Sequence, residues 1–236
     1  MRRLAVTLAF ALLSASPATA ACRQALALGL DISGSVDAAE YALQREGLAA
    51  ALSSEEVRAV LLAEPEAPVR IAVFEWSGPR DQHLILDWTA IEDEAALSAV
   101  VARLLTAPRV TAAPSTAIGS AVLFGGALLA EQESCWRKVL DLSGDGPANT
   151  GPRPQDISSA ELPGAMTVNG LAILTEDARR GTRDSDLADY FRTRVIRGPA
   201  AFVEVAEGYE DYAAAMRRKL LRELQSLMLG GLAPLQ

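Results

Sequence analysis

Apolar runs that stop at a polar or acidic residue recur along the chain and predict strands buried in the middle of a sheet. Residues 25–30 are apolar without interruption and are followed by Asp31, and residues 138–146, Lys-Val-Leu-Asp-Leu-Ser-Gly-Asp-Gly, show a buried-strand pattern that is broken at Asp145. Runs that do not alternate with polar residues are typical of parallel strands covered by helices on both faces. Further strands are expected at residues 69–76, 83–88, 166–174 and 200–205.

Stretches with helical spacing of apolar residues separate most of these strands. Asp37 and Glu40 form a predicted capping box that opens the first helix. The other expected helices cover residues 92–106, 117–131, 187–194 and 209–229, with a short one in the Pro-rich segment 146–163.

The link between the second and third strands, residues 77–82, is too short for a crossover and favours an antiparallel hairpin. The other connections are long enough to carry helices. The pattern therefore predicts an α/β fold over residues 22–229: one doubly wound domain with a mostly parallel six-stranded sheet, one antiparallel edge strand and helices on both faces. Residues 230–236 are expected to form a flexible tail.

Polar side chains at the ends of the apolar runs suggest metal chemistry. Two carboxylates and three hydroxyls together make an all-oxygen ligand set for a hard divalent cation, Mg²⁺ first, with Mn²⁺ or Ca²⁺ as alternatives. The five residues are Asp31, Ser33, Ser35, Thr116 and Asp145. Each has a plainer interpretation when taken singly, since Asp and Ser are common turn residues and Thr116 or Ser115 suits a helix N-cap.

These five residues, in this order, resemble the metal-ion-dependent adhesion site of a von Willebrand factor type A domain. The run Asp31-Ile-Ser-Gly-Ser35 matches its first motif, and residues 116–121 are similar to the family segment Thr-x-Thr-Gly-x-Ala, with Ile118 in place of the second Thr. Residues 139–149, 169–173 and 198–203 further resemble an uncharacterised group of exported bacterial proteins with this fold. The resemblance covers residues 22–228.

The resemblance implies a binding module in which a bound cation captures a carboxylate from a protein or peptide partner. In the family pattern Ser33, Ser35 and Thr116 contact the ion, while Asp31 and Asp145 act mainly through bound waters. Residues 209–229 are expected to pack on the sheet; the alternative that the resemblance implies is a helix that shifts when ligand binds, as in integrin-type relatives.

Two other functions stay open at this point, a metal-assisted hydrolase and a scaffold with a vestigial metal site. The only histidine, His83, lies at the start of an expected edge strand, far in sequence from any candidate nucleophile. The chain has no Gly-x-Ser-x-Gly, Ser-x-x-Lys or Gly-Lys-Ser/Thr motif. No catalytic constellation is therefore expected.

Residues 1–20 read as a secretory signal peptide. They begin Met-Arg-Arg, continue with apolar residues 4–13 and end in Ala18-Thr-Ala20, which predicts cleavage after Ala20 and a periplasmic or secreted protein. The apolar run is too short for a membrane span, so no transmembrane segment is expected in the mature chain. A lipoprotein attached through Cys22 is the alternative, although the Leu usual at the start of a lipobox is missing.

The two cysteines are Cys22 and Cys135, and a disulfide between them is expected in an oxidising compartment. Cys22 precedes Asp31 by nine residues, and Cys135 precedes Asp145 by ten. If both acids face one metal at the ends of neighbouring parallel strands, both cysteines lie at the opposite ends. Two unrelated buried thiols are the alternative.

An acidic charge balance limits the range of partners. The chain has 22 Lys and Arg against 30 Asp and Glu, a net charge of −8, and removal of Arg2 and Arg3 with the signal peptide makes this −10. Such a charge argues against nucleic acid and anionic membranes as partners. It leaves the oligomeric state open.

Overall fold

The computed structural model describes residues 21–175 and 184–230. The expected signal peptide and residues 231–236 of the expected tail lie outside the described residues. Within them, no helix has both the length and the apolar character that crossing a bilayer requires.

Six strands form a single sheet in the order β3-β2-β1-β4-β5-β6. All neighbouring strands pair in parallel except β2 and β3, which form the antiparallel hairpin. The strands are β1 (Cys22–Asp31), β2 (Val69–Trp76), β3 (Gln82–Ala90), β4 (Cys135–Gly144), β5 (Thr167–Ile173) and β6 (Val203–Ala206).

Helices follow the strands and cover the sheet. They are α1 (Ala38–Ser53), α2 (Glu55–Leu61), α3 (Glu94–Thr106), α4 (Ile118–Ala130), α5 (Asp184–Tyr190), which continues into a π-helical turn at Phe191–Val195, and α6 (Tyr212–Gly230). The predicted capping box of α1 is present, with Asp37 accepting hydrogen bonds from the first turn and Glu40 accepting one from Asp37 N–H.

Two hydrophobic cores lie on opposite faces of the sheet because successive side chains of a strand point to opposite sides. Leu26 and Leu28 of β1 belong to the core that contains Leu48 of α1 and Leu220 of α6. Ala27, between them, belongs to the other core, with residues of α4 and the π-helical turn. Both faces of β1 are therefore buried, as its unbroken apolar run predicts.

The predicted doubly wound fold and its single reversed edge strand are confirmed, and the local differences have physical causes. Segment 146–163 forms two short 3₁₀ turns, Pro154–Asp156 and Ser159–Glu161, where one helix was expected. Proline within the segment removes backbone donors and prevents a continuous helix. The helix α2 was not predicted; it follows α1 after the single residue Ser54.

The two edges of the sheet have different chemistry. We call the carboxyl ends of the parallel strands the upper edge and their amino ends the lower edge. At the lower edge Cys22 pairs in register with Cys135, and a disulfide joins them, as the sequence predicted. The upper edge of the same two strands carries Asp31 and Asp145.

Candidate metal centre

The loop after β1 folds tightly around Asp31. The Asp31 side chain is fully buried, and its Oδ1 accepts a hydrogen bond of 2.8 Å from the Ser33 N–H. Val36 N–H donates to the Ser33 carbonyl at 3.0 Å, which closes the turn. The Asp31 carboxylate therefore points back into its own loop at the end of the strand.

Strands β1 and β4 are neighbours from which the chain connects to opposite halves of the sheet, an arrangement that opens a crevice at the carboxyl ends of the strands. Across this crevice Ser35 Oγ donates to Asp145 Oδ1 at 2.7 Å. The hydroxyl oxygens of Ser33 and Ser35 lie 3.3 Å apart. Four of the five residues singled out from the sequence are thus linked by hydrogen bonds.

The segment that carries Thr116 packs directly against this loop. Gly34 N–H donates to the Pro114 carbonyl at 3.1 Å, and a Cβ on Gly34 would lie 2.8 Å from the Cβ of Pro114. Only glycine allows so close an approach. Thr116 itself is 6 % exposed, and its N–H donates to Asn149 Oδ1 at 2.9 Å.

Neither Thr116 nor Ser115 is the N-cap of helix α4. The N-cap of α4 is Ala117, and no side chain of the described residues bonds to the first turn there. Asn149 N–H returns a hydrogen bond of 2.9 Å to the Thr116 carbonyl, so the backbone of Thr116 is held from both sides by one residue. Its position is therefore determined by the loop after β4 that also carries Asp145.

The environment of the two carboxylates disfavours their charges. Burial, followed by the negative charge of Asp145, raises the pKa of Asp31 to about 7. Burial also raises the pKa of Asp145, while hydrogen bonds from Ser35 and Tyr209 act in the opposite direction. Asp31 Oδ2 is buried and has no donor in hydrogen-bonding geometry among the described residues. The Asp145 N–H is close enough to the Asp31 carboxyl to oppose the rise in its pKa.

These features fit a divalent cation. A buried carboxylate oxygen without a donor is costly, and a nearby cation would offset that cost. The described residues contain no group of three or more His, Cys, Asp or Glu side chains suited to a metal. A cation here would therefore depend on the hydroxyls of Ser33, Ser35 and Thr116 in addition to two carboxylates, all of them hard oxygen ligands.

Three supporting residues were not foreseen from the sequence. Tyr209, just before α6, donates to Asp145 Oδ2 at 3.3 Å. Gln44 of α1 donates from Nε2 to the Asp31 carbonyl at 2.8 Å and accepts from Ser143 Oγ at 2.8 Å. Asn149 is the third, and nothing in the sequence around these three residues marks them as part of the site.

Comparison with known proteins identifies the family of this chain. A family model described as "Protein of unknown function (DUF1194)" matches residues 21–228. The chain belongs to this family. No curated protein matches this DUF1194 chain.

Solved structures show that the DUF1194 fold is that of a von Willebrand factor type A domain. The pilus adhesin SpaC from Lactobacillus rhamnosus GG, in its open conformation, is 14% identical with a TM-score of 0.61, over 89% of this chain and 30% of that one. A von Willebrand factor type A protein from Catenulispora acidiphila is 14% identical with a TM-score of 0.52, over 88% of this chain and 43% of that one.

A third similar structure is the proximal thread matrix protein 1 of the mussel byssus with a zinc-occupied metal-ion-dependent adhesion site. It is 15% identical with a TM-score of 0.59, over 87% of this chain and 46% of that one. This DUF1194 chain spans less than half the length of each of these three proteins. At such low identities the likeness establishes the fold.

Proposed function

We propose that this protein is an exported binding module that captures a carboxylate of a protein partner through a divalent cation at the upper edge of the sheet. The observation that carries the proposal is Asp31 Oδ2, a buried carboxylate oxygen with no donor among the described residues. It lies in the loop whose hydroxyls are hydrogen-bonded to one another and to Asp145. The resemblance to the adhesion-site motif supports the same assignment.

The residues divide into two roles in this proposal. Ser33, Ser35 and Thr116 offer neutral hydroxyl oxygens as direct ligands, while Asp31 and Asp145 balance charge through bound water. When bound, the cation supplies an electrophilic position for an outside oxygen anion. Neutral direct ligands preserve that electrophilicity, since the negative charges act from further away. Mg²⁺ is the favoured ion, with Mn²⁺ and Ca²⁺ as alternatives.

A cavity beside the loop offers space for the residues that flank the partner's carboxylate. It measures about 420 Å³ and lies between residues 32–36 and residues 109–114. Val36, Val110 and Pro114 contribute apolar surface to it, and Arg109 holds the loop by donating to the Val36 carbonyl at 2.5 Å. An acidic residue with an apolar neighbour fits this combination of surfaces.

An exported location is supported by two independent features. Residues 1–20 have the pattern of a signal peptide cleaved after Ala20. The Cys22–Cys135 disulfide also favours an oxidising compartment, because cytosolic thiols are kept reduced. We therefore place the protein in the periplasm or outside the cell.

The metal assignment is tested by titrating the purified mature protein with Mg²⁺ and Mn²⁺ in a calorimeter. We expect one ion per chain, and we expect Asp31→Ala or Thr116→Ala to abolish the binding while circular dichroism stays unchanged. Asp31 is the last residue of β1 and Thr116 lies in the loop before α4, and neither belongs to the two hydrophobic cores, so the fold should survive. Ser134→Ala, at the lower edge of the sheet, is the matched control and should bind as the wild type does.

Partner capture tests the second half of the proposal. Immobilised protein should retain a partner from envelope extracts in Mg²⁺ and release it in EDTA, and Asp145→Asn should weaken retention by altering the charge around the ion. Amidation of the partner's carboxyl groups should have the same effect. Retention that persists in EDTA and in Asp145→Asn would show that the contact does not run through a metal.

A further inference from the structure

A second cavity lies far from Asp31, near the lower edge of the sheet. It measures about 520 Å³ and is formed by residues 155–166, which lead into β5, together with residues 193–199, which follow α5. That volume is typical of small-molecule sites. The length of β5, about 20 Å at roughly 3.3 Å per residue, separates it from the upper edge.

The walls of this cavity are held in place by the backbone. Val168 and Arg197 exchange two backbone hydrogen bonds, of 2.8 and 3.1 Å. Gly198 has a φ of +91°, and a Cβ there would lie 2.3 Å from the Met166 carbonyl oxygen. Ala165 also adopts a positive φ, of 60°. A site whose walls are fixed in this way is formed before any ligand arrives, which lowers the entropic cost of binding.

The lining combines apolar side chains with positive charge. Ile157, Leu162 and Met166 supply apolar surface, and Ile157 and Met166 are themselves buried. Arg194 and Arg197 are the charged residues of the lining, which includes no carboxylate. In a chain with 30 acidic residues against 22 basic ones, such a lining stands out.

Neither guanidinium has a counter-ion in the part of the chain that the structure describes. Arg197 is partly buried and donates to the carbonyl oxygens of Pro154 and Ile157, which are neutral acceptors. Its Nε is buried and donates to no described acceptor, and burial lowers its pKa. Arg194 is exposed and forms no ion pair with a described residue. An anion in the cavity would compensate both charges.

We propose that this cavity binds a small anionic amphiphile, a molecule with one carboxylate or similar oxyanion attached to an apolar body. The oxyanion faces the guanidinium groups of Arg194 and Arg197, which match such a group in charge and planar geometry. The apolar body lies against Ile157, Leu162 and Met166. The lining of this cavity includes none of the five residues of the candidate metal centre. A failure of the proposed metal site would therefore not affect this proposal.

Calorimetric titration with octanoate tests the proposal, and it is done in EDTA so that no metal can hold the carboxylate. We expect one octanoate per chain, with a dissociation constant at or below about 1 mM. Octanol, which lacks the charge, and acetate, which lacks the apolar body, should each bind at least about tenfold more weakly. Absence of octanoate binding, or equal binding of octanol, would overturn the proposal.

Three variants locate the site. Arg194→Gln should weaken octanoate binding about tenfold, the usual effect of losing a hydrogen bond to a charged group. Thr193→Trp should abolish it, because Thr193 is an exposed lining residue and the indole would fill the cavity. Arg192→Gln is the matched control, since Arg192 pairs with Asp189 outside the lining and is also exposed. Arg197 is left intact because it supports the fold.

The comparison between the two arginine variants decides the assignment. Thermal unfolding of each variant verifies that the fold is retained. If Arg194→Gln and Arg192→Gln bind octanoate equally, or if Thr193→Trp binds as the wild type does, octanoate does not bind in this cavity and the proposal is wrong.

Discussion

At the scale of single residues, Asp145 organises the candidate metal centre. Ser35 donates to one of its carboxylate oxygens and Tyr209 to the other. Because the Ser35 hydroxyl uses its proton on Asp145, both of its lone pairs stay available to accept from other groups or to ligate a cation. The hydrogen bond therefore orients Ser35 for the role that the proposal gives it.

Tyr209 tests whether this orientation matters. Tyr209→Phe removes one donor from Asp145, and we expect metal affinity to fall by about tenfold, the lower end of what outer partners of metal ligands contribute. Tyr190→Phe is the matched control, because the Tyr190 hydroxyl accepts from Ala148 N–H and does not bond to Asp145. Calorimetric titration with Mg²⁺ compares the two. If both variants lose Mg²⁺ affinity equally, or if neither loses any, Tyr209 does not support the metal site.

The sequence predicts part of this site because strand ends are visible in it. Asp31 and Asp145 follow apolar runs, and parallel strands bring such ends together. Gln44 and Tyr209 are different, since they reach the site from helix α1 and from the loop before α6. Their partners lie 13 and 64 residues away in the chain, a separation that leaves no periodic signal.

At the scale of elements, a buried charged cluster joins α6 to the sheet. Lys219 Nζ lies 2.6 Å from an oxygen of Asp141 on β4 and 2.7 Å from an oxygen of Glu223, one helical turn further on. Asn169 of β5 also donates to Glu223, at 2.7 Å. Partly buried Arg137 lies close to Glu223 and donates to its carbonyl.

Burial and mutual interaction shift the pKa values of two groups in this cluster. Burial, and secondly the negative charge of Glu223, raise the pKa of Asp141 to about 8. Burial lowers the pKa of Lys219, but the carboxylates of Asp141 and Glu223 outweigh this effect and the net shift is upward. We therefore expect Asp141 to hold a proton near neutral pH while Lys219 beside it stays charged.

We expect Asp141→Asn to be tolerated at pH 7, with a loss of less than about 1 kcal/mol, because asparagine has the shape of the protonated acid. A raised pKa means that the folded state binds the Asp141 proton more tightly than the unfolded state does. The stability that this proton contributes is fully present below about pH 4 and is lost as the pH rises through about 8. Urea unfolding at several pH values should show this fall in the wild type, at about 1.4 kcal/mol per pKa unit, and a smaller one in Asp141→Asn.

Lys219→Met provides the contrast for this cluster. It leaves the buried carboxyl groups of Asp141 and Glu223 without the cation that contacts both, which typically costs about 3–5 kcal/mol. If Asp141→Asn proved as destabilising as Lys219→Met at pH 7, Asp141 would be ionised there and the protonation argument would fail.

At the scale of the whole molecule, one pair of neighbouring strands connects the two chemically distinct edges of the sheet. The amino ends of β1 and β4 are joined by the disulfide, and the residues at and just beyond their carboxyl ends carry the two acids. The apolar patterns predicted this arrangement, since both faces of these strands are buried. The two 3₁₀ turns of segment 146–163 were not predicted, because the spacing of apolar residues alone cannot distinguish a short helix from two separate turns.

Removing the disulfide should affect stability and leave the metal site intact. The variant Cys22→Ser with Cys135→Ser frees a span of 113 residues, and the chain-entropy model gives a loss of up to about 4–5 kcal/mol. Metal affinity should be unchanged, because the ten residues of β1 separate the sulfurs from Asp31 by roughly 30 Å. Denaturant unfolding and calorimetric titration measure the two effects. A matching loss of metal affinity would show that the two edges are coupled.

The same disulfide sets how the molecule responds to mechanical load. A tension applied between a point before Cys22 and a point after Cys135 passes through the sulfur–sulfur bond and bypasses the chain between them, since the two cysteines are separated by 113 positions. The bypassed segment contains four of the helices and the β2–β3 hairpin, and it would otherwise release on the order of 400 Å of extended chain. Under such a load β1, which ends at Asp31, cannot be pulled out of the sheet from its amino end. The upper edge therefore keeps its structure while the chain outside the disulfide loop unfolds.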